Sequence, residues 1–329
     1  MKEITQKDIA VIIPAYKAHK TIKRTLASLS TQFGVSFNVY IVVDGEPEGS
    51  YDYLLDIFDS FHMDILYKKE NSGPGLSRQY AIDHTSEPFI TFIDSDDVLH
   101  NVNSLYIMRS AFTKEEDVVV ITPFYQQLAD GSFRLRASSC LTWMHGKMYR
   151  RSFLDKYKVH FNKDYSYSNE DAGFNSMIGL IADAKTERIK LLDLEAVTYI
   201  QLSNPQSITN RNDREFSRSK LNIEGFVYNK LHAFDYVVNQ LKIRDKGIAE
   251  AAVRSICHIY INYVGINNDV AGYAELVNEL AKISYKQLYE YYKEELTKEQ
   301  IEEIEKDLLY ESGYSYLAYK SWKDKVIGG

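Results

Sequence analysis

The stretch Phe89-Ile90-Thr91-Phe92-Ile93-Asp94-Ser95-Asp96-Asp97 passes in one step from apolar and β-branched residues to carboxylates. A short apolar run cut off by turn residues reads as a buried strand. Working back toward the N-terminus, Gly75 to His84 reads as a helix behind a glycine-rich turn, and Ile65 to Tyr67 as a strand. Tyr51 to Phe61 shows helical spacing through Leu54, Leu55 and Phe58. Val39 to Val43 is a buried strand stopped by Asp44-Gly45, Thr21 to Ser30 a helix through Ile22, Leu26 and Leu29, and Ile9 to Pro14 the first strand. Strands alternating with helices imply an α/β fold, with a mostly parallel, Rossmann-like central sheet and helices on both faces. Such sheets bind ligands at the carboxyl ends of their strands. Ala15-Tyr16, Asp44-Gly45 and Asp94-Ser95-Asp96 would then share one rim.

From Val118 to about Ser203 the pattern reads as strands and loops. Beyond about Ser217 it becomes helical: Leu231, Phe234, Val238 and Leu241 are spaced by three and four, as are Ile301, Ile304 and Leu308. Glu294 to Asp307 carries seven acidic and two basic residues, the pattern of a solvated helix face. A boundary near residue 215 divides the chain into an α/β part, 1–215, and a helical C-terminal part, 216–329.

Composition narrows the class. With 329 residues, 45% hydrophobic and 26% charged, the chain is an ordinary globular one. No apolar run approaches the ~20 residues needed to span a bilayer, and Met1 to Asp8 lacks a signal-peptide pattern. A cytoplasmic protein is expected, with peripheral contact at the inner membrane face left open. Cys140 and Cys257 have no metal-ligand spacing and read as free buried thiols. A net charge of −7 argues against bulk binding of nucleic acid, although Arg134/Arg136 and Arg150/Arg151 are local basic pairs.

Five segments carry chemistry. Carboxylates two apart at a strand end, as in Asp94-Ser95-Asp96-Asp97, suit one hard cation; taken alone they are equally a solvated turn. Asp44 can accept hydrogen bonds from a base or ribose, or simply end its strand. Asn71-Ser72-Gly73-Pro74-Gly75-Leu76-Ser77-Arg78 exposes backbone at a helix start, with Arg78 a forked donor suited to phosphate, or is an ordinary capped loop. Asn169-Glu170-Asp171 pairs two carboxylates, which suits a general base or a solvated acidic pair. His145-Gly146-Lys147-Met148-Tyr149-Arg150-Arg151 concentrates positive charge for a diphosphate or an anionic acceptor, or for nearby acids.

Together the segments Val11–Tyr16, Val42–Gly45, Asn71–Gly73, Ile93–Asp97 and Asn169–Asp171 resemble, in order, the family 2 glycosyltransferases of GT-A fold over about residues 8 to 210. Each piece is weak, but five in sequence are specific. Gly45-Glu46 departs from the serine-rich continuation common in that family. The resemblance implies a metal-dependent, inverting hexosyl transfer from a nucleotide-sugar, UDP-linked, to a glycan or cell-surface polymer. It places Pro14, Ala15 and Tyr16 beside the base and Asp44 at the nucleotide. Gly73 and Arg78 fall on the donor side, as do Asp94 and Ser95 at the ribose or sugar. Asp96, with Asp94, would hold Mn²⁺ or Mg²⁺, while Asp97 lends support. Asp171 would be the base, and Glu170 its neighbour or an acceptor ligand. His145, Gly146, Lys147 and Tyr149 would contact acceptor or diphosphate, and the loop Asn204 to Thr209, with Ser207, would close over the diphosphate. The helical part could serve an acceptor or an oligomer.

Other functions are weaker. The same chemistry could act on a modified DNA base or a protein, and a non-catalytic nucleotide-sugar binder would not need Asp171. Nucleotidyl transfer calls for a glycine- and arginine-rich loop near the N-terminus, which Pro14 to Lys20 is not.

Overall fold

The computed structural model describes residues 8–139, 142–204, 220–265 and 273–328. The chain divides into two compact units, one of residues 1–171 and 186–207, the other of 172–185 and 208–329.

The first unit is built on β1 (Ile9–Ala15), β2 (Phe37–Asp44), β3 (His62–Lys68) and β4 (Phe89–Phe92). All pair in parallel, with Ile12 beside both Tyr40 and Phe92 and with Asp44 beside Lys68. β1 is buried almost throughout, which is why its sequence is continuously apolar rather than alternating. Helices α1 (Ile22–Ser30) and α2 (Gly73–Asp83) follow β1 and β3. In α1, Ile22, Leu26 and Leu29 are the buried stripe, as their spacing predicts.

The helix expected over Tyr51–Phe61 does not form. Only a 3₁₀ turn, Asp52–Leu54, is present. Tyrosines hold the segment instead: Tyr67 Oη donates to Asp52 at 2.8 Å and accepts from Tyr51 N at 2.9 Å, while Tyr51 Oη donates to Glu46 and accepts from Ala18 N, each at 2.8 Å. Leu54 is buried but Leu55 is 46% exposed, so the apolar spacing does not mark one face.

Beyond β4 come β5 (Val98–Leu99), α3 (Ser104–Ser110), β6 (Asp117–Ile121), β7 (Phe124–Gln127), β8 (Phe133–Arg136), β9 (Lys147–Arg150) and α4 (Arg151–Tyr157). After α5 (Glu170–Ala184) follow β10 (Arg188–Leu191) and β11 (Tyr199–Gln201). The main sheet has the order β10-β6-β9-β4-β1-β2-β3, with β9 antiparallel to both its neighbours. A smaller sheet, β5-β11-β7-β8, carries Tyr199.

The second unit is helical: α6 (Lys220–Asp235), α7 (Lys246–Tyr263), α8 (Ala274–Tyr292), α9 (Lys298–Glu311) and α10 (Tyr316–Ile327), together with α5 from Ala172 onward. Cys257, Tyr260, Leu309 and Tyr319 form a buried cluster there. The acidic α9 is not wholly a solvated face. Glu305 is buried, accepting from Tyr319 Oη at 3.0 Å and pairing with Lys323. No helix among the described residues is long and apolar enough to cross a membrane.

Candidate active site

Parallel register brings the carboxyl ends of β1 to β4 to one edge of the sheet. Pro14 and Ala15 lie at the end of β1, and Tyr16 follows, 48% exposed. The ends of β2 and β3 are joined through Asp44. Its carboxylate is buried and accepts from Lys68 Nζ at 2.9 Å, Ser72 N at 3.0 Å and Gly73 N at 2.8 Å. It therefore anchors the turn ahead of α2 rather than offering free oxygens to a base or ribose. Gly73 opens α2, with Tyr167 packed over it and donating its hydroxyl to Asn71 O at 2.7 Å.

Gly45 is required by this junction. Its φ is +81°, and a Cβ there would sit 2.3 Å from Asn71 N. A left-handed φ costs a non-glycine residue about 1–3 kcal/mol before any clash. Gly45→Ala is therefore expected to lose at least about 2 kcal/mol of stability in urea unfolding, with the turn displaced. A loss below half of that would mean the junction yields easily.

At the end of β4, Asp97 N closes a tight turn on Asp94 O at 3.0 Å, with Ser95 half-buried within it. Asp94 accepts from Arg78 Nη2 at 2.6 Å. Asp97 is 2% exposed and accepts from Tyr199 Oη at 2.7 Å and Leu202 N at 2.8 Å. His145 Nε2 stands 3.6 Å from Asp94 Oδ2 and 3.7 Å from Asp97 Oδ2. The ring packs on Tyr199 and Phe124.

Asp94, Asp97 and His145 thus offer two oxygens and one nitrogen within 4.8 Å of one another, a donor set that fits a divalent cation. Burial pushes the Asp97 carboxyl well up, and Asp96 and Asp94 add to it. Burial also opposes ionisation of Asp94, but Arg78 and His145 outweigh it and hold that carboxyl low. A cation among these groups would offset the mutual repulsion. Asp96, the ligand expected from sequence, lies outside this trio: its Oδ2 accepts from Asn204 Nδ2 at 2.9 Å. Asn204 belongs to the late loop read from sequence, whose remaining residues 205–209 lie outside the described residues.

The basic segment around His145 divides. His145 joins the carboxylates, but Lys147 and Tyr149 are buried on β9, an interior strand between β4 and β6. Lys147 Nζ donates to Trp143 O, and Tyr149 Oη donates to Met144 Sδ at 3.0 Å. Gly146 packs against Thr122. Contact with acceptor or diphosphate, expected of Gly146, Lys147 and Tyr149, gives way to core packing.

Arg78 is likewise no free phosphate donor. It is 3% exposed and bridges Asp94 to Glu170, donating through Nη1 to Glu170 Oε1 at 2.9 Å. Burial raises the Glu170 carboxyl and Arg78 opposes the rise. Glu170 is thereby turned inward and does not offer its carboxylate to an acceptor. Asp171, half-buried beside it in the first turn of α5, adds to the carboxylate field that keeps Arg78 charged.

A mostly parallel sheet with an acidic turn and a histidine at its carboxyl edge gives the first unit a GT-A-like architecture. Residues 10–166 match the family model for glycosyl transferase family 2. The Bacillus subtilis glycosyltransferase EpsJ is 25% identical over 225 residues, 61% of this chain and 62% of EpsJ. The glycosyltransferase GlyA of Streptococcus pneumoniae is 28% identical over 127 residues, 38% of this chain and 18% of GlyA. The matches therefore take in less than two thirds of these relatives' length. Among solved structures, S. aureus TarS 1–349 with UDP-GlcNAc has a TM-score of 0.57 at 16% identity, covering 93% of this chain and 80% of that one. The mannosyltransferase PcManGT from Pyrobaculum calidifontis, with GDP-Man and Mn²⁺, has a TM-score of 0.51 at 12% identity, covering 71% and 65%. At these identities the structural likeness is one of fold.

Proposed function

We propose that the chain transfers a hexosyl group, with inversion, from a UDP-linked sugar to a hydroxyl of a glycan or cell-surface polymer. The observation that carries this reading is the bridge through Arg78. It ties a cation-compatible carboxylate turn to a second carboxylate pair at the ligand-binding edge of the sheet. The nucleotide-sugar complexes of TarS and PcManGT support the donor class.

Pro14, Ala15 and Tyr16 flank the base in this reading, and the turn anchored by Asp44 shapes the donor cleft. Asp94, Asp97 and His145 hold Mn²⁺ or Mg²⁺, with the imidazole tipping the set away from Mg²⁺. The cation's contribution is to neutralise charge on the departing diphosphate. Asp171 takes the proton of the acceptor hydroxyl as that oxygen forms its bond to the anomeric carbon. The bond to the diphosphate oxygen breaks in the same displacement, and its electron pair leaves with the nucleotide. We assign catalysis to residues 1–215 and an acceptor or oligomer surface to 216–329, with the protein in the cytoplasm and peripheral contact at the inner membrane face left open.

A thermal-shift screen of nucleotide-sugars with and without Mn²⁺, followed by transfer of a labelled donor, tests the reading. Donor at 100 times its Kd is expected to add about 2.7 kcal/mol of stability. Absence of any nucleotide-sugar shift, together with no release of labelled sugar, would sink it.

A further inference from the structure

Arg78 is a buried cation between two carboxylates that belong to different parts of the proposed reaction. Its Nη2 reaches Asp94, on the donor side, at 2.6 Å, and its Nη1 reaches Glu170, next to the proposed base, at 2.9 Å. Its guanidinium lies over the Phe92 ring at 5.9 Å, and its Nε has no hydrogen-bond partner among the described residues. The fork is therefore spent on holding the two carboxylates at a fixed separation.

Independent contacts lock the same joint. One turn before Arg78, Gly75 lies so close that a Cβ there would be 2.9 Å from Glu170 Cγ and 3.0 Å from its Cβ. Gly75 N donates to Ser166 O at 3.0 Å, and Ser166 Oγ donates to Ser72 O. The segment entering α5 is thus stitched to the start of α2, and Glu170 is pressed onto the helix that carries Arg78.

We propose that Arg78 is a positioning residue: acting through Glu170, it sets where Asp171 stands relative to the donor held at Asp94. The proposal rests on the glycosyl-transfer reading with Asp171 as base. Removing the fork should leave the donor seated but let the base-bearing turn drift, and a displacement of about 1 Å can cost roughly 100-fold in rate. Lysine keeps the charge but, as a single point donor, cannot span both carboxylates in the same geometry.

The test is a double-mutant cycle on kcat, with donor Kd followed by thermal shift in Mn²⁺. Arg78→Lys is expected to lower kcat on the order of 100-fold, with donor Kd within about 3-fold. Glu170→Gln keeps an acceptor oxygen for Nη1 but loses the charge-assisted bond, and should lower kcat about 10-fold with Kd again unchanged. Because both act through one joint, the double variant should be no worse than Arg78→Lys alone. If Arg78→Lys does not fold, Glu170→Gln carries the test by the same split between kcat and Kd.

Losses that multiply, or a donor Kd that weakens in step with kcat, overturn the proposal. Asp171→Asn separates the two levels. If it is inactive while Arg78→Lys is normal, positioning alone falls; if it transfers normally, the base reading and the positioning built on it fall together.

Discussion

Asp171→Asn is expected to lower transfer by ~10²–10⁴-fold while leaving the donor-dependent thermal shift intact. The amide has the carboxylate's shape but cannot take a proton from the acceptor hydroxyl. Asp171 sits in the first turn of α5, half-buried, so an isosteric change there does not open a cavity. The ion pairs of Arg78 run to Asp94 and Glu170 and need no oxygen from Asp171. The groups assigned to the donor lie at the ends of β1 and β4 and on His145, so nucleotide binding should persist. Donor binding is read by thermal shift and transfer by labelled sugar, in one buffer. Near-normal transfer by Asp171→Asn would remove it as the base, and loss of the donor shift would move it to the donor site.

β1, β2 and β4 could be read from sequence because each is a compact apolar run in the buried part of the sheet, ended by polar residues, whereas the half-exposed edge strand β3 shows only its apolar centre, Ile65 to Tyr67. The helix α5 could not. Ala172, Phe174, Met177, Ile178, Leu180, Ile181 and Ala182 are all buried, so the helix shows no polar face and no amphipathic period. β9 was hidden because its lysine and arginine suggest a surface, while Lys147 is 1% exposed and satisfied by a backbone carbonyl. The failed helix at Tyr51–Phe61 has the same origin in contacts from outside the segment, since Tyr67 and Ala18 hold its path.

The acidic turn could be found as a motif, but the direction of each carboxylate could not. Asp97 is drawn inward by Tyr199 and Leu202, more than a hundred residues later, and Asp96 is drawn to Asn204. Arg78 looked like a phosphate ligand because its partner Glu170 lies 92 residues away. Local pattern supplies the residue types of a site; which of them face one another depends on tertiary contacts that no local window contains.

Asp97→Asn is accordingly expected to weaken Mn²⁺ binding by more than about 100-fold, and Asp96→Asn by less than about 10-fold. Asp97, Asp94 and His145 converge, whereas Asp96 turns to Asn204. Without a cation, the Asp97 carboxyl is pushed up by burial and by its neighbours Asp96 and Asp94, so it holds its proton more readily than an ordinary aspartate. A cation must displace that proton. Metal affinity should therefore fall as pH drops, and this dependence should flatten in Asp97→Asn. The metal-free variant should stay within about 1 kcal/mol of the parent: it loses a crowded buried acid but has one amide oxygen for two donors, Tyr199 Oη and Leu202 N. Calorimetric titration of Mn²⁺ at two pH values, beside urea unfolding of the metal-free proteins, measures both effects. If Asp96→Asn, rather than Asp97→Asn, abolishes the metal heat, the cation is held on the Asp96 side of the turn. Chelation of the parent enzyme should stop transfer in either case, because charge then builds on the departing diphosphate beside the carboxylates of Asp94, Asp96 and Asp97 without the cation to offset it.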